Sequence, residues 1–545
     1  MPTFDHNYDR YGILTKLHIL KINEMKNILV LFSVLFLAHL TMGQTETGYI
    51  PRKQDAHFQK SSVDHSKFAK LHKDFESPQE VTNTCLSCHT ERGKEIMETA
   101  HWNWERSAYT EEDGVTYFGK QNLINNFCTG IAGSEGTCTR CHIGYGYDDK
   151  NFDFSNQSNI DCLICHDNSG TYQKQPGKAG YPYPQIDLSH VAKNVGYPKK
   201  DNCGVCHFYS AGGNNVKNGA LDKALLNTTQ DVDVHMAKDG PDMSCVECHE
   251  TTKHQMKGKY YGVSSMDRNR AECSQCHTET PHEDDLINEH TIKVSCQACH
   301  IPEYAKVNPT KTNWDWSTAT KLNEEGEPFA IDNDEGQHTF LSIKGSFEWG
   351  SNLEPDYIWF NGTADHYFLT DRIEEVPVQI NTLHGKYRDK ESKIWPVKIH
   401  TGKQPYDKES NRLVQMKLWD KEEGQGALWK DFDWGKSLET GMDYIGLPYS
   451  GNYGFIETEM TLPLSHMVSP ANKSVSCTEC HSRNDSRIAG LTGFYMPGRD
   501  YNAAIDNGGV ILIILSILGV LVHTSIRIVS SGKRKKHLES RNNNA

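Results

Sequence analysis

Cysteine and histidine return in this chain as one five-residue word: Cys, two residues, Cys, His. Seven copies lie within residues 85–300, at Cys85/Cys88/His89, Cys138/Cys141/His142, Cys162/Cys165/His166, Cys203/Cys206/His207, Cys245/Cys248/His249, Cys273/Cys276/His277 and Cys296/Cys299/His300. An eighth follows at Cys477/Cys480/His481. Two thiols three positions apart reach the two vinyl groups on one edge of a porphyrin, and the next imidazole then lies under the iron. The spacing therefore implies eight covalently bound c-type haems, with those eight histidines as proximal ligands. A zinc site needs no His directly after the second Cys, and a redox Cys pair has no reason to recur eight times.

Iron ligated on both faces transfers electrons, whereas catalysis needs a centre that opens. All eight words end in His, so none betrays a reactive iron. Fourteen other histidines lie after residue 43 and before the C-terminal apolar run, enough to supply the second ligands. The set read from the sequence is His65, His101, His235, His254, His282, His290 and His466. Each alone is equally compatible with a surface or hydrogen-bonding role.

The formal net charge is -14, which argues against nucleic acid as a partner. A small anionic substrate then needs a locally cationic entrance. Hydrophobic residues make up only 37% of the 545, and mean hydropathy is -0.65. Porphyrin faces supply the missing apolar surface, so compactness of the array depends on haem loading. Sixteen of the seventeen cysteines belong to the words, which leaves Cys128 over and no disulfide framework.

Residues 1–24 read as an upstream, non-native start. From Met25, a Lys, the apolar run 28–38 and the small residues before Gln44 make 25–43 a signal peptide, an uncleaved anchor being the other reading. Residues 44–300 hold the seven-haem array, where Gly- and Pro-rich pieces at 175–184 and 211–219 imply loops and short helices. Residues 301–476 carry no word but eight of the ten Trp, enough for an orthodox core that packs on the array. Strand-like residues occur there with weak alternation. Residues 477–505 form the eighth haem segment. Residues 508–530 are long and apolar enough to span a bilayer, and the basic tail 531–545 then belongs on the cytoplasmic side. The fold class expected is a mainly α and irregular multihaem cytochrome c fold with few short strands, plus one C-terminal transmembrane helix.

Two residues narrow the search for a reactive centre. Cys128 lies ten positions before the second word; a free thiol there contacts a sulfur or nitrogen oxyanion, or is simply buried and inert. Lys217 lies in the segment Gly212-Gly213-Asn214-Asn215-Val216-Lys217, as a solvated loop lysine or as an iron ligand whose burial keeps it neutral. Arg140, inside the second word, adds a cation.

Eight words with seven clustered, Cys128 ahead of the second and the Gly-Gly-Asn-Asn-Val-Lys segment after the fourth together resemble the octahaem tetrathionate reductase family. His101-Trp102-Asn103-Trp104 and Trp314-Asp315-Trp316-Ser317 extend the likeness over roughly residues 60–490. The resemblance implies that the haem on Cys138 and Cys141 is catalytic, with Lys217 as an unusual axial ligand and Cys128 in its pocket. Where relatives tend to have Asp and His around the lysine, this chain has Asn214 and Asn218.

The function expected is a membrane-anchored reductase of sulfur or nitrogen oxyanions: tetrathionate, with nitrite or hydroxylamine able to use the same iron. Lys217, Cys128 and Arg140 are its catalytic residues, and a membrane quinol-oxidising cytochrome or other donor feeds it. An electron conduit with every iron saturated, and an oxidase resembling hydroxylamine oxidoreductase, are the competing readings.

Overall fold

The computed structural model describes residues 63–110, 114–258 and 269–542. The expected upstream start and signal peptide lie outside the described residues.

The array is built from single helical turns, several of them the attachment words themselves. Cys245–Cys248 and Cys477–Cys480 show why. Ser244 precedes the first turn, and the Glu247 carboxylate accepts from its backbone N–H at 2.6 Å; Ser476 and Glu479 repeat the arrangement at 2.8 Å. Each is a capping box whose third helical residue lies inside the word. Elsewhere Ser295 caps Cys296–His300, and Ser77 with Pro78 starts Pro78–Leu86. One turn is all a word needs to place two thiols and an imidazole on one side of the chain.

Residues 301–476 fold differently. The fold class stands, with helices and short strands around the words, but here the sheet runs further than the weak alternation indicated. Among the described residues, nine strands join in one sheet. Its centre is β1 (Thr310–Asp315), β2 (Gly345–Gly350), β3 (Lys393–Asp407) and β4 (Tyr453–Pro463). β3 pairs antiparallel with β4 from Val397↔Pro463 to Asp407↔Tyr453, and parallel with β1 through Thr401↔Asn313. β1 in turn pairs antiparallel with β2.

Tryptophan fills the core beneath this sheet, as expected. Trp314 and Trp316 are fully buried and stack at 5.1 Å, with Phe347 edge-on to Trp314 at 4.9 Å. Helix α1 (Trp434–Ile445) closes the cluster with Trp434, Leu438 and Met442. Asp433 caps its N-terminus and Gly446, at φ 73°, ends it in the left-handed conformation that glycine adopts without cost. Phe127 and Val216 belong to the same cluster, so both segments bearing the proposed site residues are packed on the sheet's core.

A final helix, α2 (Ala503–Asn542), is long and apolar enough to cross a membrane over Ala503–Leu538, and its apolar side chains are exposed.

Removing the central indole tests the orthodox core. Trp314→Ala is expected to cost about 3–5 kcal/mol, read as a shifted guanidinium midpoint of the holoprotein. An unchanged midpoint would mean that the sheet is held by something other than this cluster.

Candidate functional site: imidazole pairs and one amine

Seven of the eight word histidines face a second imidazole. Ring centroids lie 6.2 Å apart for His89 and His65, 6.1 Å for His207 and His101, and 6.5 Å for His166 and His254. They lie 6.3 Å apart for His249 and His466, and 6.1 Å for His277 and His235. His300 with His282, and His481 with His290, are each at 6.2 Å. These separations are too long for stacking contact. Two metal–nitrogen bonds of about 2 Å and two ring radii of about 1 Å sum to about 6 Å, the span of two imidazoles across one metal. The second partners are the seven histidines expected from the sequence.

Hydrogen bonds aim these rings. The Nδ1 of His166 bonds the Gly196 carbonyl at 2.8 Å, that of His249 the Lys257 carbonyl at 2.8 Å, and that of His290 the Leu286 carbonyl at 2.8 Å. His254 Nδ1 meets the Glu95 carboxylate at 2.9 Å. With Nδ1–H committed, the Nε2 lone pair is left for a metal. The residues present fit c-type haem.

His142 breaks the pattern and corrects its assignment as a ligand. Its Nε2 is hydrogen-bonded to the Trp102 carbonyl at 2.6 Å, and its Nδ1 is buried without a partner. Trp102, Trp104, Tyr147, Phe152 and Phe154 box the ring at 5.1–6.0 Å. Burial holds its pKa down to about 3. Behind it a buried ion pair, Lys174–Asp161 at 3.0 Å, is completed by the hydroxyls of Tyr145 and Tyr172, and Lys174 also donates to the His142 carbonyl. The second word is anchored, but its imidazole is spent elsewhere.

Lys217 is buried in the segment that packs with Phe127. Burial first, then the charge of Lys120, lowers its pKa to about 8. Its Nζ lies 5.9 Å from the ring of Phe127, in the segment ahead of the second word. Its loop turns through left-handed Ala211, Gly212, Asn215 and Gly219, and a Cβ at Gly219 would meet Tyr304 at 2.5 Å. The sheet holds the loop from two strands. Thr310 of β1 donates to the Asn215 carbonyl at 2.7 Å, and Lys398 of β3 donates to the Lys217 carbonyl at 2.8 Å.

Cys128 packs on the same core, and burial pushes its thiol up while Lys344 and Lys311 pull it down. Around neighbouring Phe127 gather Lys217 Nζ at 5.9 Å, Lys398 Nζ at 5.3 Å and the His400 ring at 3.9 Å. Lys398 and His400 are two apart on β3, both fully buried. Burial holds Lys311 down to about 6 and His366, which feels Lys217, to about 4. Arg140 is not part of this group: it is exposed on the turn Thr139–Cys141. Sequence reasoning missed Lys120, Lys311, Lys344, Lys398, His366 and His400. The one signal was Lys398-Ile399-His400, two cationic types at strand spacing inside an apolar run.

Words also pack on one another: Cys85 and Cys165 join one apolar cluster with Val205, and Ala298 and Cys480 share another.

In the first and sixth words the N–H of the second cysteine donates to the carbonyl of the first, at 3.1 Å from Cys88 to Cys85 and from Cys276 to Cys273, and the turn sets both thiols beside His89 and His277, the rings that face His65 and His235.

The pairing predicts a spectroscopic outcome. In His101→Ala holoprotein one low-spin bis-imidazole signal should be replaced by a high-spin one, and His142→Ala should leave every bis-imidazole signal in place. The reverse result would contradict the assignment.

Comparison with known proteins places the chain among the cytochromes c. Residues 311–484 match the family described as "Cytochrome c bacterial". A protein of Archaeoglobus fulgidus described as uncharacterized is 23% identical over 242 residues, 34% of this chain and 77% of its own length. The crystal structure of octaheme cytochrome c from Shewanella oneidensis is 40% identical, with a TM-score of 0.72, covering 78% of this chain and 95% of that one. The chain is thus a multihaem c-type cytochrome with redox activity. On that identity and coverage, the chain belongs to the octahaem cytochromes c of the octahaem tetrathionate reductase family.

Proposed function

We propose that the chain carries eight c-type haems and reduces sulfur or nitrogen oxyanions, with tetrathionate first among them, at the haem of Cys138 and Cys141. The observation that carries this reading is the exception at the second word, where the imidazole is withdrawn, together with a buried Lys217 amine 5.9 Å from the Phe127 ring in the segment ahead of that word. Burial favours the neutral amine, the form that ligates iron. When bound, the haems supply one-electron transfer and, at this centre, a coordination position for substrate.

Tetrathionate takes up two electrons, its central S–S bond breaks, and two thiosulfates leave. Total charge goes from -2 to -4, and no proton is consumed. Lys311 and Lys398 are kept from protonation by burial, but an arriving dianion favours their charged form. The pocket thus becomes cationic when substrate enters it, which suits a protein of net charge -14. Cys128, two residues beyond Asn126, presents its thiol to the same core, where it contacts the sulfur oxyanion. Nitrite and hydroxylamine are smaller alternatives for the same iron.

The C-terminal helix is read as an anchor at 508–530, with the basic tail 531–545 inside and the haem domain on the periplasmic side. Electrons arrive from a membrane quinol-oxidising cytochrome or an equivalent donor.

Lys217→Ala is expected to change the oxidised spectrum of one haem in eight and to lower tetrathionate turnover by at least about tenfold, with haem content unchanged. An unaltered spectrum would remove the amine from the iron, and with it the site.

A further inference from the structure

The words form a route once their contacts are followed. Trp102, whose carbonyl takes His142 of the second word, follows His101, which faces His207 of the fourth. Phe208, next to that ligand, packs with Met467, next to the His466 that faces His249 of the fifth. Met243, two residues before the fifth word, donates its N–H at 2.9 Å to the carbonyl of His235, which faces His277 of the sixth. Close after the sixth word comes His282, which faces His300 of the seventh, and the N–H of Val475, just before the eighth word, donates to the Cys299 carbonyl at 2.9 Å. Cys85 of the first word and Cys165 of the third pack in one apolar cluster, which Val205 of the fourth joins. The eighth word is therefore the far end of a path that finishes at the Lys217 centre.

That same word is bound to the base of the C-terminal helix. His481 Nδ1 bonds the carbonyl of Pro497 at 3.1 Å, six positions before α2 begins. Gly498 follows at φ 88°, so close that a Cβ there would lie 2.8 Å from the His481 carbonyl oxygen. Arg483, two residues past the ligand, pairs with Asp506 of α2 at 3.8 Å and lies 5.1 Å over the Tyr501 ring. Asp506 accepts in addition from Tyr495 Oη at 3.2 Å and from Asn502 N–H at 2.6 Å. These contacts tie the ligand, its loop and the first turn of the helix into one unit.

We propose that the eighth word is the port through which electrons arrive from the membrane, held against the bilayer face by the Arg483–Asp506 clamp. The donor is membrane-embedded and delivers single electrons at the lipid surface. Electrons then pass through the seventh, sixth, fifth and fourth words to the second. The first and third words are a side branch that this route does not use. The inference rests on the anchor reading given above.

The test uses full-length holoprotein and vesicles of phosphatidylethanolamine and phosphatidylglycerol carrying a lipid-tethered ruthenium photoreductant. Flotation reports whether the chain is anchored. After a laser flash, transient absorbance reports which haem is reduced first, and His290→Met marks the eighth by shifting its spectrum. The expected result is a floating protein in which the marked haem is reduced at least tenfold faster than any other. In Arg483→Glu that lead should fall severalfold while flotation and haem content persist. A protein that does not float overturns the anchor and the port together. A floating protein whose first-reduced haem is any other, or whose order is indifferent to Arg483, overturns the port alone.

Discussion

Everything in the array follows from holding two imidazoles about 6 Å apart across a metal. Backbone carbonyls and a carboxylate fix Nδ1 on several of these rings, so the gap is set by the protein rather than left to the metal. A centre closed in this way exchanges electrons without changing its ligands. The consequence for the chain is that regular structure is scarce between the words, since a single capped turn suffices to place each one.

Against that background the second centre differs by subtraction and replacement. Trp102 takes the Nε2 of His142, and an aromatic box leaves the ring no room to turn. The replacement we propose comes from the loop of Lys217, and here the haem-free sheet has its role. Thr310 and Lys398, on neighbouring strands, hold the loop's carbonyls, so the amine is placed by β-sheet register rather than by the array. The same strands bury Lys398 and His400 against Phe127 and Lys311 over Phe347, concentrating cationic types in an otherwise acidic protein.

The attachment chemistry was legible because covalent bonding to a porphyrin demands a fixed local spacing. The seven second ligands were legible as a supply, and each named histidine is found opposite a word. Their pairing was not: His101 serves the fourth word and His254 the third, relations made by tertiary folding. His142 could not be told from its seven counterparts, since its fate depends on Trp102, Phe152 and Phe154 closing over it. Arg140 was placed at the anion site by proximity in sequence, but the turn that carries Cys141 points it to solvent. Lys398 and His400 become meaningful only when β3 aligns them on one buried face. The long strands were understated because the buried face of β3 carries Pro396, Lys398, His400, Gly402 and Gln404, so burial alternates along the strand while apolar residue type does not.

The central claim is that one iron is ligated by an amine while the others are closed by imidazole pairs. Near-infrared magnetic circular dichroism of the oxidised holoprotein reads axial ligands haem by haem. Seven bis-imidazole equivalents and one of different ligation are expected; eight bis-imidazole equivalents would contradict the account.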